Sequence, residues 1–171
     1  LQWWPEAQTV LLRFFDQHLK QVQTGQHQLQ LWDLGTQQWS SRPQPSALSW
    51  SLQGEGLACL DPASGRLNPN EAGVGQERIV HDPWRPVPAI GGHLSPSAGP
   101  ADRQSLDTRA DVATFTTAPL DGPLELAGQP QLLIRAGADQ PGFDLCLVLS
   151  RLPQGSAAVE QLSSGVLRVL G

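Results

Sequence analysis

The first apolar rhythm in the chain is helical. Ala7, Leu11, Phe14, Phe15, His18, Leu19 and Val22 recur at spacings of three and four, which places them on one face of an α-helix. Pro5 suits a first helical turn, Glu6 complements the positive N-terminal end, and Lys20 followed by Gly25 marks the exit. Beyond Gly25 the period drops to two. Leu29 and Leu31 alternate with Gln, and Leu48, Trp50 and Leu52 alternate with Ser before a turn at Gly54, Glu55 and Gly56. Such alternation predicts half-buried antiparallel strands. The stretches 61–75 and 82–99 are rich in Pro and Gly, have no apolar periodicity, and read as long connections. Further short runs follow at Val112 to Thr117, Leu124 to Leu126, Leu132 to Ala136, Phe143 to Leu149 and Val166 to Val169. Short strands punctuated by Gly and Pro predict an all-β sandwich or jelly roll preceded by one helix.

Composition narrows the function classes. The 171 residues fit one domain, with 39% hydrophobic and 16% charged residues, 15 Pro and 17 Gly, so long helices beyond the first are disfavoured. Net charge is -5 with no run of Lys or Arg, which removes the footprint that nucleic-acid binding depends on. No stretch approaches a membrane span, and no signal pattern opens the chain. Cys59 and Cys146 each sit in an apolar stretch and read as core residues; two cysteines without metal-ligand spacing support neither a disulfide scaffold nor structural zinc. The compartment stays open, leaning to the cytoplasm. The absence of Met suggests a processed chain or a piece of a longer one.

Catalytic chemistry is sparse. A serine nucleophile needs a base within reach and a group that orients it, commonly with a G-x-S-x-G elbow in α/β-hydrolases. No elbow occurs, and Ser64 and Ser164, each before a Gly, read as turn residues. His18, His27, His81 and His93 show no metal-ligand spacing. No catalytic residue, cofactor or metal ligand is assigned. Charge concentrates at Asp102, Arg103, Asp107, Arg109 and Asp111, with Asp144 and Arg168 further on. A general acid/base pair needs carboxylates with split pKa values, whereas neighbouring arginines hold carboxylates ionised. Asp102, Arg103, Arg109, Asp111, Asp144 and Arg168 are therefore expected to form a structural clamp that fixes the long loop. Of the tryptophans at 3, 4, 32, 39, 50 and 84, most read as core or interface packing, with a sugar-stacking platform as the alternative.

Two segments carry a family resemblance: His81-Asp82-Pro83-Trp84-Arg85-Pro86-Val87-Pro88-Ala89-Ile90-Gly91-Gly92, and Gly99-Pro100-Ala101-Asp102-Arg103 through Arg109-Ala110-Asp111-Val112 to Phe115-Thr116-Thr117. They resemble the signature of the C-terminal jelly-roll domain in the CocE/NonD serine hydrolases, which include acyl esterases, glutaryl acylases, α-amino acid ester hydrolases and X-prolyl dipeptidyl peptidases. Leu124-Glu125-Leu126-Ala127-Gly128, Phe143-Asp144 and Gly165-Val166-Leu167-Arg168 extend it. Phe14-Phe15-Asp16-Gln17-His18-Leu19-Lys20 resembles the helix that closes the family's α/β-hydrolase domain after its catalytic histidine. Gln21 departs from the glycine usual there, and Arg151 stands where an acidic residue is usual.

The resemblance implies a non-catalytic, galactose-binding-like sandwich over 25–171, cut short at its C-terminus, with 1–24 the last helix of an upstream hydrolase domain. That upstream domain of the same polypeptide would hold the triad. It would be the partner on which this domain packs and whose substrate cleft it shapes, with Phe14, Phe15, His18, His81 and Trp84 as possible interface residues. A homo-oligomer is a further expected partner; nucleic acid and membrane are not. A free-standing carbohydrate- or ligand-binding sandwich is the alternative.

Overall fold

The computed structural model describes residues 4–22, 30–33, 35–41, 47–92 and 97–170, with side chains from residue 7 onward. Gly25, His27, Leu29, His93, Pro96 and Trp3 fall outside them. The polypeptide divides into two compact units, 1–45 and 46–171.

The first unit holds helix α1, Trp4–Lys20, over the span that the apolar spacing predicts. It ends at Gln21, whose φ of 56° lies in the left-handed region. Glycine adopts that region without a Cβ clash, so Gln21 keeps the backbone turn that the family's glycine provides. The Val22 N–H donates to the Asp16 carbonyl at 3.3 Å and closes the end. Strands β1, Gln30–Asp33, and β2, Gln38–Ser41, form an antiparallel hairpin in which Trp32 faces Trp39.

The second unit carries two sheets. Strand β3, Ser51–Gln53, pairs antiparallel with β4, Arg66–Asn68, which pairs parallel with β5, Thr116–Thr117. β4 corrects the reading of 61–75 as connection only. Its one apolar residue, Leu67, gives no periodicity, and backbone bonds to two neighbours define the strand. The long hairpin is β6, Gly142–Arg151, with β7, Glu160–Leu170, in register from Gly142 and Leu170 to a bulge between Leu149 and Ser150. Because side chains alternate, Phe143, Leu145, Leu147 and Leu149 share one face with Leu167 and Val169. Asp144, Cys146 and Val148 share the other with Arg168 and Val166. Cys146 is thus exposed and Cys59 half-buried, so neither is the core residue expected. A one-turn helix, α2, Gln104–Asp107, lies between β4 and β5.

One long helix followed by strands and irregular connections is the all-β sandwich class with a preceding helix that the pattern predicts. The runs Leu124 to Leu126 and Leu132 to Ala136 form no ladder, and Leu133 is 96% exposed. Their leucines have the strand pattern, but among the described residues no strand pairs with them. Among the described residues only Ala58 and Leu106 are buried apolar side chains.

Candidate functional site

Three Arg/Asp pairs occupy the positions expected of the clamp, with one change of partner. Arg103, a buried residue, donates from Nε to Asp107 Oδ1 and from Nη1 to Gln161 Oε1, both at 3.1 Å. Asp107 is one helical turn ahead on α2, and Gln161 is a buried amide on β7. Asp102 instead receives backbone donors: its Oδ1 accepts the Gln104 and Val159 N–H groups, each at 3.0 Å. Those two bonds hold its carboxyl below the usual range. The Arg103 N–H to the Val159 carbonyl and the Gln161 N–H to the Ala101 carbonyl complete a four-bond seam between 101–104 and the start of β7.

The glycines of the first signature segment meet this seam. Gly92 and Gly99 exchange N–H to carbonyl bonds at 2.8 and 3.1 Å, with φ values of 66° and 110°. A Cβ on Gly92 would come within 2.7 Å of Ser164 Oγ and 2.9 Å of Gln161 Nε2. A side chain there would have to push aside Ser164 and the amide that Arg103 holds, at a left-handed φ that favours glycine.

Arg109 forks onto Asp111 at 2.7 and 2.6 Å, with both side chains largely buried. Its hydrogen bond lowers the Asp111 pKa, and the same bond raises that of Arg109. Arg109 Nη2 also donates to the Arg85 carbonyl. Arg168 and Asp144 form the third pair and the second fork, across the β6–β7 register, at 2.7 and 2.8 Å, in the open. Their mutual hydrogen bonds lower the Asp144 pKa and raise that of Arg168. Arg151, the departure from the family pattern, pairs with Glu160 near the bulge.

Sequence reasoning missed two polar residues. Gln161 lies in a run of Gln, Leu and Ser with no charge signal, yet its amide is 2% exposed. Glu77, in an unpatterned stretch, accepts the Gly56 and Ala58 N–H groups at 3.0 Å each. Cys59 lies beside it, and burial first, then the charges of Glu77 and Asp111, push the thiol pKa up.

The Ser64 hydroxyl donates to Asp61 within a turn, as its setting predicts. An open cleft of about 390 Å³, lined by residues including Gln53, Glu55, Asp61, Ser64 and Arg66, holds no histidine. Among the described residues no group of three or more His, Cys, Asp or Glu is placed to hold a metal ion. None of their helices is long and apolar enough to cross a membrane.

Of the interface candidates, Phe14 and Phe15 are each 48% exposed, with the His18 ring 4.4 Å from that of Phe14. His81 is exposed and close enough to Asp111 to act on its charge, and Trp84 is 91% exposed. Trp32 and Trp39 meet edge to face at 67°, which is no flat platform for a sugar.

Comparison with known proteins agrees with the motifs. Residues 3–170 match the family model of the X-Pro dipeptidyl-peptidase C-terminal non-catalytic domain. The chain is 29% identical over 178 residues to a cocaine esterase from Rhodococcus sp. (strain MB1 Bresler), covering 96% of this chain and 30% of the relative. It thus spans under a third of the length of the curated relative it matches. No solved structure matches it significantly. The chain belongs to the X-Pro dipeptidyl-peptidase C-terminal non-catalytic domain family, the C-terminal domain of CocE/NonD serine hydrolases.

Proposed function

We propose that this domain packs on a catalytic α/β-hydrolase domain of the same polypeptide and walls part of its substrate cleft, the reaction being hydrolysis of an acyl ester or an X-Pro peptide. In this reading 1–24 is the last helix of the hydrolase domain and 25–171 the sandwich. The observation that carries it is uncovered apolar surface. On α1, Leu11, Phe14, Phe15 and Leu19 are 53%, 48%, 48% and 76% exposed, and on β7 Leu167 and Leu170 are 61% and 78% exposed. Ordering a residue costs about 1–2 kcal/mol in backbone entropy, which the few buried apolar side chains described here offset poorly. Large apolar side chains left uncovered on an element mark an interaction site when they cluster on one face, as Leu11, Phe14, Phe15 and Leu19 do on α1. In this reading the Arg103 bonds and the Arg109/Asp111 fork serve as the structural clamp, holding 101–111 and the Arg85 turn, while the Arg168/Asp144 fork ties β6 to β7, so that the surface facing the cleft keeps one shape. A homo-oligomer would use strand edges left open on the β6–β7 hairpin.

The test is kinetic. The polypeptide that carries this chain is compared with a form lacking residues 25–171, on p-nitrophenyl esters and on Xaa-Pro substrates. The proposal expects kcat/KM to fall at least tenfold on the preferred substrate and to recover when 25–171 is supplied in trans. Equal kcat/KM with and without the domain would overturn it.

A further inference from the structure

The stretch 78–89 is exposed at every residue and carries Ile79, Val80, Trp84 and Val87, of which Trp84 is 91% exposed. Its backbone is nevertheless fixed. The Trp84 N–H donates to Asp82 Oδ1 at 2.9 Å, and the Arg85 N–H donates to the Asp82 carbonyl at 3.1 Å. Pro83, Pro86 and Pro88 restrict φ on both sides. From outside the loop Arg109, forked onto Asp111, donates to the Arg85 carbonyl. A bare indole is thus held on a turn tied down at three points, although the ring gains no burial from it.

Charges of both signs lie around Trp84 in sequence, Glu77 and Asp82 beside Arg78 and Arg85. Arg78 and Arg85 flank it in sequence, are exposed, and make no ion pair among the described residues. Asp82 and Glu77 are engaged by backbone N–H groups, of Trp84 and of Gly56 and Ala58, which leaves the two guanidinium groups as the charges free to meet a partner. Rigid Trp with Arg at its edge is the composition of an interface hot spot, because the ordering entropy of the anchor is settled before contact.

We infer that the turn 82–86 is the anchor by which this domain docks. Trp84 plugs an apolar recess rimmed by carboxylates on the catalytic domain, Arg78 and Arg85 pair with the rim, and Arg109 with Asp111 acts as the positioning pair. The inference rests on the docking reading above and names its contact. One ring and two cations make a small footprint for two separate molecules, but tethering within one polypeptide raises the effective concentration enough for such a footprint to hold. The relative, of which this chain spans 30%, has the length to supply such a domain.

The experiment uses the polypeptide in which this chain follows its hydrolase domain, with Trp84→Ala, Arg78→Glu/Arg85→Glu, Arg109→Lys and Phe14→Asp/Phe15→Asp. The readout is the rate of limited proteolysis at the junction near residue 25. Trp84→Ala and the double arginine variant are expected to speed cleavage about tenfold. Arg109→Lys keeps the charge without the fork and is expected to speed it less. In the same polypeptide, Trp84→Ala should leave hydrogen exchange of the Arg103 and Gln161 seam amides unchanged, which separates docking from a structural role. Unchanged cleavage in Trp84→Ala while Phe14→Asp/Phe15→Asp releases the junction would overturn this inference and leave the docking reading standing. Rapid cleavage in every form, the unsubstituted one included, would overturn both. A dimer of the 171-residue chain that Trp84→Ala dissociates would replace the catalytic domain by a second copy as occupant.

Discussion

Removing the Arg103 guanidinium should loosen the seam between 101–104 and β7 more than any other single loss of charge in the chain. Arg103→Ala leaves two acceptors without donors. Gln161 Oε1 is on a residue 2% exposed, and a buried acceptor left unsatisfied costs about 1–3 kcal/mol. The Asp107 side chain is 19% exposed, so water recovers part of its lost charged hydrogen bond, and about 1 kcal/mol remains after that discount. Together these give about 3 kcal/mol, or roughly a hundredfold in an opening equilibrium at about 1.4 kcal/mol per decade. The Arg103 and Gln161 amides report directly, since their N–H groups bond to the Val159 and Ala101 carbonyls across the seam. Native-state hydrogen exchange should therefore show both amides exchanging about a hundredfold faster in Arg103→Ala. Arg168→Ala, which breaks an exposed fork, should leave them unchanged. Arg103→Met with Gln161→Leu should recover much of the loss, because it removes the buried acceptor together with its donor and leaves only the part-exposed Asp107 carboxylate short of a bond. Exchange accelerated no more by Arg103→Ala than by Arg168→Ala would refute the reasoning.

Other substitutions test neighbouring parts of the account. Gly92→Ala should cost more than about 1 kcal/mol by chemical denaturation, from its left-handed φ and from the contact with Ser164 and Gln161. Asp102, Asp111 and Asp144 all have lowered pKa values, so their stabilisation is complete above the unfolded value of about 3.9 and is lost as pH falls through the lower folded values. Near-UV circular dichroism should hold steady down to about pH 5 and decline below about pH 4. Asp102→Asn, which keeps the accepting oxygen without the titration, should make that decline shallower. Cys146 should react with a thiol reagent well before Cys59, whose pKa burial raises, as mass spectrometry of partly labelled chain would show.

What the sequence made legible follows the range of the interactions involved. The α1 face and the β6–β7 hairpin are local periodicities, so they could be read along the chain. The signature glycines and Asp102-Arg103 were legible as a family pattern, and the structure supplies the reason: Gly92 lies against the amide that Arg103 holds. Arg109 with Asp111 is two residues apart and could be guessed as a pair; Arg103 with Asp107 and Gln161 could not, because Gln161 lies 58 residues away. Glu77 reaches back about twenty residues to two backbone donors, which leaves no mark in composition or period. β4 is a short ladder made by backbone pairing, with too few apolar residues to announce a strand, whereas β5 lies inside the run Val112 to Thr117 that the pattern predicts. Cys146 looked like core because its neighbours Leu145 and Leu147 are apolar, but alternation sends it to the face of Asp144 and Arg168.

The claim that this domain is non-catalytic is tested most directly by active-site labelling. The 171-residue chain, and the polypeptide that carries it behind a hydrolase domain, are treated with a fluorophosphonate, digested, and mapped by mass spectrometry. The account predicts no adduct on any serine from Leu1 to Gly171 in either sample, and one adduct on a serine preceding Leu1 in the longer polypeptide. A stoichiometric adduct on Ser64, Ser164 or any other serine of this chain would contradict it.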